Sequence, residues 1–169
     1  MPTNAFTPLD ICPAAAADVP AIATMIRELA AFEQLGHLVA FTDESLAAAL
    51  FEAASPVEFF VGRCDDAPVA YSAYFQTFST FLGRKGLYLE DLYVRPAFRR
   101  RGYGRAMLLH GANLAKARGC GRFEWMALDW NAPAIRFYEG LGAAQLPEWR
   151  LFRATGTALK EMGTRPGSG

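Results

Sequence analysis

The chain is short of the raw material for several chemistries. It has two histidines, His37 and His110, and three cysteines, Cys12, Cys64 and Cys120. The cysteines are odd in number, widely spaced and without a Cys-x-x-Cys pair. That excludes a disulfide framework and makes a reducing cytoplasm the expected setting. Two histidines leave almost no raw material for a His-based zinc centre, and no metal is expected. Net charge is also missing: 17 Lys plus Arg balance 17 Asp plus Glu. Nothing in the overall field therefore calls for nucleic acid or an anionic membrane as partner. No apolar run is long enough to span a bilayer, and the start lacks the basic and apolar regions of a secretory signal.

What is present is ordinary for a soluble domain: 169 residues, 52% hydrophobic and 20% charged, with 13 Phe. That length suffices for one domain with a real core. Residues 1–7 read as a loose leader, and 163–169 as a Gly/Pro/Ser-rich flexible tail, leaving 8–156 as the domain.

The spacing predicts a strand near Leu9–Cys12 and a helix from Asp18 in which Ile22, Met25, Ile26 and Leu29 share a face. Gly36 ends that helix, and Thr42 opens a second. Strands are expected at Glu58–Arg63 and Val69–Thr77, joined by the turn Asp65-Asp66-Ala67-Pro68. A glycine-containing connection, Ser79–Gly86, leads to a central strand at Leu87–Val94. A helix at Gly102–Arg118, a strand at Arg122–Leu128, a helix at Ala132–Leu141 and a last strand at Trp149–Ala154 complete the order. Strand, helix, strand in the second half demands a crossover, hence a parallel pair. The consecutive strands before it should be antiparallel. The expectation is an α/β fold with a mixed, mostly antiparallel sheet flanked by helices.

Three segments carry candidate chemistry. In Arg99-Arg100-Arg101-Gly102-Tyr103-Gly104-Arg105, glycines and arginines open a helix, where bare backbone N–H groups suit a pyrophosphate. A turn that merely needs glycine fits the same letters. The loop is neither a phosphate-binding Gly-Lys-Ser/Thr loop nor a dinucleotide fingerprint. Next, the central strand bears Glu90 and Asp91. By strand alternation Glu90 shares a face with Tyr88, Leu92 and Val94, where an apolar setting would raise its pKa and make it a base. An ordinary ion pair is the competing reading. Finally, Asn131 can cap a helix containing Tyr138, a phenol that is either core or a proton donor.

Taken together and in order, these segments resemble the GCN5-related N-acetyltransferases, the GNAT superfamily, whose Gln/Arg-x-x-Gly-x-Gly/Ala loop is met by Arg99, Gly102 and Gly104. The likeness extends to the branch of diamine (spermidine/spermine) and thialysine acetyltransferases. Glu28 to Glu33, Tyr88 to Asp91, Asp129-Trp130-Asn131, Phe137-Tyr138 and Trp149 to Phe152 carry it. The resemblance implies a GNAT fold with splayed central strands and acetyl-CoA as co-substrate. It implies Glu90 as base, through a water, and Tyr138 as acid toward the departing thiolate. The cofactor would lie along Leu92, Tyr93 and Val94, on Arg99 to Arg105 including Tyr103, and against Asn131 and Tyr138. Glu33, Asp91, Glu148 and Trp149 would receive a small-molecule amine, and the enzyme would be a homodimer through its C-terminal strands. The extra acid that polyamine-specific members carry before the central strand is absent from Phe78 to Gly83. A non-catalytic acyl-CoA-binding module, or an enzyme for protein amines, are the competing functions. Retention of both Glu90 and Tyr138 speaks for the small-amine enzyme.

Overall fold

The computed structural model describes residues 7–52 and 55–164. A short strand, β1 (Asp10–Pro13), precedes α1 (Val19–Phe32) and α2 (Asp43–Phe51). Thr42 caps α2, its hydroxyl accepting from the Ser45 amide at 3.1 Å. Then come β2 (Val57–Cys64), β3 (Ala67–Ser79), β4 (Arg84–Val94), α3 (Tyr103–Ala117) and β5 (Arg122–Trp125).

The five strands lie in chain order in one sheet, antiparallel except for the last pair, β4 with β5. Helix α3 is the crossover that this parallel pair requires. Asp65 and Asp66, both at positive φ, make the two-residue turn between β2 and β3, and Ala67 already belongs to β3. The connection between β3 and β4 is shorter than expected, because the ladder continues to Ser79 opposite Arg84.

The sheet is covered on both sides. Ile22 and Met25 of α1 meet Val61, Tyr71 and Tyr93 on one side. Tyr103 and Met107 of α3 meet Cys64, Val69, Ala70 and Val94 on the other. Helix α3 approaches so closely that a Cβ on Gly111 would sit 2.6 Å from the Tyr74 ring and 2.7 Å from Phe123. Only glycine permits that approach.

Two features of β4 prepare the site. Its pairing with β5 ends at Leu89 opposite Trp125, although β4 runs on to Val94. Beyond Leu89 the β5 edge of β4 has no strand partner, because β5 ends at Trp125. On the other side, Ala73 pairs with Asp91 but Tyr74 pairs with Leu89, so Glu90 is the extra residue of a β-bulge.

Residues 129–164 form a second compact unit, holding α4 (Ala132–Glu139) and α5 (Gly156–Thr164). The strand expected at Trp149–Ala154 is not formed. Residues 150–154 carry no regular structure, and Trp149, Leu151 and Phe152 are exposed. Alternating apolar residues make a strand only where a neighbour completes the ladder. Of the expected flexible termini, 1–6 and 165–169 lie outside the described residues; Gly163 and Thr164 close α5.

Candidate active site

The bulge decides which carboxylate turns inward. Leu87 and Leu89 lie on the α3 side, since Leu89 pairs with Tyr74, whose hydroxyl donates to the Met107 carbonyl of α3 at 3.1 Å. After the bulge the α3 side is taken by Leu92 and Val94. Asp91 and Tyr93 therefore face α1. Glu90, at the bulge, is exposed. The apolar setting expected around Glu90 is not there, because the inserted residue breaks the alternation that would have created it.

That setting belongs to Asp91. Burial lifts its pKa from 3.8 to about 6, and the charges of Glu90 and Glu33 add to the effect. The Tyr71 hydroxyl donates to the carboxylate at 3.1 Å and opposes the rise. Burial also raises Glu33, just past the end of α1. Glu33, Glu90 and Asp91, from α1 and β4, are thus brought within electrostatic reach of one another. Tyr93 is raised by burial and then by Glu28, which lies 3.4 Å from Arg95. Such a cluster holds its negative charges at a cost that a cationic guest would relieve.

The glycine loop follows directly. Gly102 is the N-cap of α3 at φ 82°, a left-handed conformation that favours glycine. The first helical bond runs from the Ala106 amide to the Gly102 carbonyl at 2.9 Å. The amides of Tyr103, Gly104 and Arg105 thus have no carbonyl a turn earlier, an arrangement suited to an anion. A Cβ on Gly104 would meet nothing closer than Val94 at 4.0 Å, so the approach to this turn is open. Tyr103 itself is buried, its hydroxyl donating to the Thr7 carbonyl at 2.7 Å.

The arginines divide. Arg100 and Arg105 are exposed. Arg101 donates to the Ala97 carbonyl at 3.2 Å and lies over Phe98. Arg99, expected on the pyrophosphate, turns toward α1, with its guanidinium over Phe32 at 5.2 Å and Tyr93 at 5.5 Å. The loop pattern also fits two residues on, as Arg101-x-x-Gly104-x-Ala106, which places its small residues inside the first turn of α3. Tyr71 and Phe32 acquire their contacts from distant neighbours, Asp91 and Arg99.

The second unit carries the remaining candidates. Asn131 caps α4 through its side-chain oxygen, which accepts from the Ala134 amide at 3.3 Å. Tyr138 is half-buried, its ring centroid 5.4 Å from that of Phe137. Glu148 and Trp149 are exposed. Among the described residues no group of three or more His, Cys, Asp or Glu is placed to hold a metal, and no helix is long and apolar enough to cross a membrane.

The first unit thus joins a mixed five-stranded sheet, a helix start whose first-turn amides lack helical partners and a part-buried carboxylate on β4. The Acetyltransferase (GNAT) family model matches residues 23–143, and the chain belongs to that family; it is an acetyl-CoA-dependent N-acetyltransferase. It is 38% identical to the thialysine N-epsilon-acetyltransferase of Mus musculus over 155 residues, covering 85% of this chain and 91% of the relative. It is 33% identical to the L-ornithine N5-acetyltransferase of Arabidopsis thaliana over 190 residues, covering 86% and 83%. Among solved structures, an integron cassette protein of V. cholerae superposes with a TM-score of 0.78 at 23% identity, covering 93% of this chain and 98% of that one. That last likeness concerns the fold alone.

Proposed function

We propose that the enzyme acetylates the side-chain primary amine of a small molecule of the thialysine or ornithine kind, bound on the α1 side of β4. The observation that carries this reading is Asp91, a part-buried carboxylate on the α1 side of β4 that accepts from the Tyr71 hydroxyl and is raised to about 6, with the charge of Glu33 among the causes. Two relatives named for acetylating thialysine and ornithine support the acceptor class.

The chemistry is direct transfer. The acceptor arrives as an ammonium with a pKa near ~10.4 and must lose a proton before it can attack. Glu90, exposed at the bulge, takes that proton through water; Asp91 and Glu33 hold the amine. The nitrogen lone pair forms a C–N bond at the thioester carbonyl and the C–S bond breaks. Tyr138 donates a proton to the departing CoA thiolate. The backbone of Leu92, Tyr93 and Val94, past the end of the ladder with β5, lies along the cofactor arm and meets the developing oxyanion. The first-turn amides Tyr103 to Arg105, with Gly102, Gly104, Arg100, Arg101 and Arg105, seat the pyrophosphate, and Asn131 bonds the pantetheine. Glu148 and Trp149 border the acceptor. No cysteine is needed, and no metal.

The catalytic domain is residues 8–156. We place the enzyme in the cytoplasm as a homodimer, with exposed Trp149, Leu151 and Phe152 covered by a second copy.

Thiol release from acetyl-CoA is the test, across thialysine, lysine, ornithine, putrescine, spermidine and a short N-terminal peptide. Turnover with the first three above the peptide is expected. Turnover with the peptide alone, or none although acetyl-CoA binds, would overturn the small-amine reading.

A further inference from the structure

Tyr71 carries a hydroxyl where packing asks only for a ring. Its side chain is fully buried in the cluster of Ile22, Met25, Val61 and Tyr93, and it stacks on Phe59 with the ring planes 11° apart. A phenylalanine would serve that cluster without the cost of burying a polar oxygen. The hydroxyl makes one bond, donated to Oδ2 of Asp91 at 3.1 Å.

The register explains the reach. Across β3 and β4, Tyr71 pairs with Tyr93 and Ala73 pairs with Asp91. Tyr71 and Asp91 are therefore diagonal neighbours on the α1 side, a separation of roughly 7–8 Å that a tyrosine spans. Ala73, directly opposite Asp91, offers no polar side-chain atom. Among the described residues the Asp91 carboxylate has no cationic partner, and Tyr71 is its one hydrogen-bond donor. Its charged neighbours, Glu90 at the bulge and Glu33 after α1, both act against its ionisation. The other charged groups on this side, Glu28, Arg95 and Arg99, act on Tyr93, two residues along the strand. Burial, and then the charge of Asp91, hold the Tyr71 phenol well above the ordinary tyrosine value. It therefore remains a donor wherever the enzyme works.

We propose that Tyr71 is a positioning residue for the acceptor: it ties down Oδ2 of Asp91 as an anion and leaves Oδ1 to receive the ammonium. This rests on the reading that Asp91 holds the amine. A hydrogen bond to the charged form favours that form, and here it stands alone against burial, Glu90 and Glu33. With the bond in place Asp91 titrates at about 6. Without it the titration should move up by about one pH unit, on the scale of a charge-assisted hydrogen bond. The acceptor would then meet a neutral acid where the wild type offers an anion.

The test is KM for thialysine at saturating acetyl-CoA, from about pH 6 to about pH 9, in the wild type, Tyr71→Phe, Asp91→Asn and the double variant. Protonation of the amine is the same for all four and cancels. Tyr71→Phe should raise KM about fivefold near pH 6 and less than about twofold near pH 9, the ratio set by that displacement. The double variant should match Asp91→Asn at every pH, because Tyr71 acts through Asp91. Thermal melts without substrate give a second readout. A carboxyl raised on folding contributes stability at low pH that is lost as pH rises through its folded value. The melting temperature of Tyr71→Phe should therefore fall further behind the wild type from about pH 5 to about pH 8, and should not do so in the Asp91→Asn background. A rise in KM that is the same at every pH, or that persists in Asp91→Asn, would make Tyr71 a packing residue and overturn the proposal. So would a KM equal to the wild type throughout. Melts that behave as expected, with KM for thialysine unchanged in Asp91→Asn, would instead strike the reading that Asp91 holds the amine.

Discussion

The two sides of β4 near its C-terminal end are made from one strand, yet they differ in kind. Toward α3, Leu92 and Val94 join Met107 and Tyr103 in a dry core. Toward α1, Asp91 and Tyr93 sit with Tyr71, Glu28 and Glu33, so that buried surface there carries charge and hydroxyls. The dry side holds α3 in place, and with it the glycine loop and its amides. On the charged side Asp91 accepts from Tyr71 and Glu28 pairs with Arg95, while desolvation raises Asp91 and Glu33. A protein keeps ionisable groups in such a setting where they bind or react. On the proposed reading the difference between the sides would divide the labour: one would position the acyl donor, the other would receive the amine.

Tyr138→Phe should have the largest effect, because it leaves both sides of β4 intact and removes the proton for the leaving thiolate. Turnover should fall by roughly 100-fold or more, with KM for acetyl-CoA little changed. Equal turnover would remove Tyr138 from the mechanism.

Asp91→Asn breaks the charged side alone. KM for the amine should rise about tenfold or more, the scale of losing a charge-assisted contact, while KM for acetyl-CoA holds. The same variant should fold more stably. Asp91 is raised from 3.8 to about 6 in the folded protein, so its contribution to stability is fully present below the unfolded pKa and is lost as pH rises through about 6. At pH 8 the asparagine variant should gain about 1–3 kcal/mol, taking 1.36 kcal/mol per pKa unit as the upper scale. The gain should vanish toward pH 4. Denaturant melts at both pH values check this, and a loss of stability at pH 8 would contradict the burial of Asp91.

Gly102→Val strikes the donor side. The residue sits at φ 82°, where a β-branched side chain is strained and crowds the approach to the first-turn amides. KM for acetyl-CoA should rise about tenfold by that crowding, on the scale of a lost hydrogen bond or two, with KM for the amine near its original value. Unchanged acetyl-CoA affinity would sink the pyrophosphate assignment. The smallest catalytic effect belongs to Gly111→Ala, behind the dry side. Its Cβ would collide with Tyr74 and Phe123, costing about 1–3 kcal/mol of stability and little activity per folded molecule.

Much of this could be read in the letters. Thr42, the Asp65-Asp66 turn and the strand-helix-strand order around Gly102 each act locally, and each is where the sequence places it. The bulge was legible too, though it was missed. The apolar residues of β4 run Leu87, Leu89 and then Leu92, Val94, and that change of phase marks an inserted residue at Glu90. Reading the strand as a strict alternation put the inward-facing carboxylate one residue early. The roles of Tyr71 and Phe32 could not be read, because each depends on a neighbour 20 or more positions away in the chain, Asp91 for Tyr71 and Arg99 for Phe32. The missing strand at Trp149–Ala154 has a similar cause: a strand needs an edge, and alternation does not say whether one is offered.

The most direct measurement is a crystal structure of the enzyme with CoA and an unreactive ornithine or thialysine analogue. The account predicts the pyrophosphate on the amides of Tyr103 to Arg105 and the acceptor's terminal amine within hydrogen-bond reach of Asp91, on the α1 side of β4. An acceptor bound away from Asp91, or a pyrophosphate seated elsewhere than the start of α3, would contradict it.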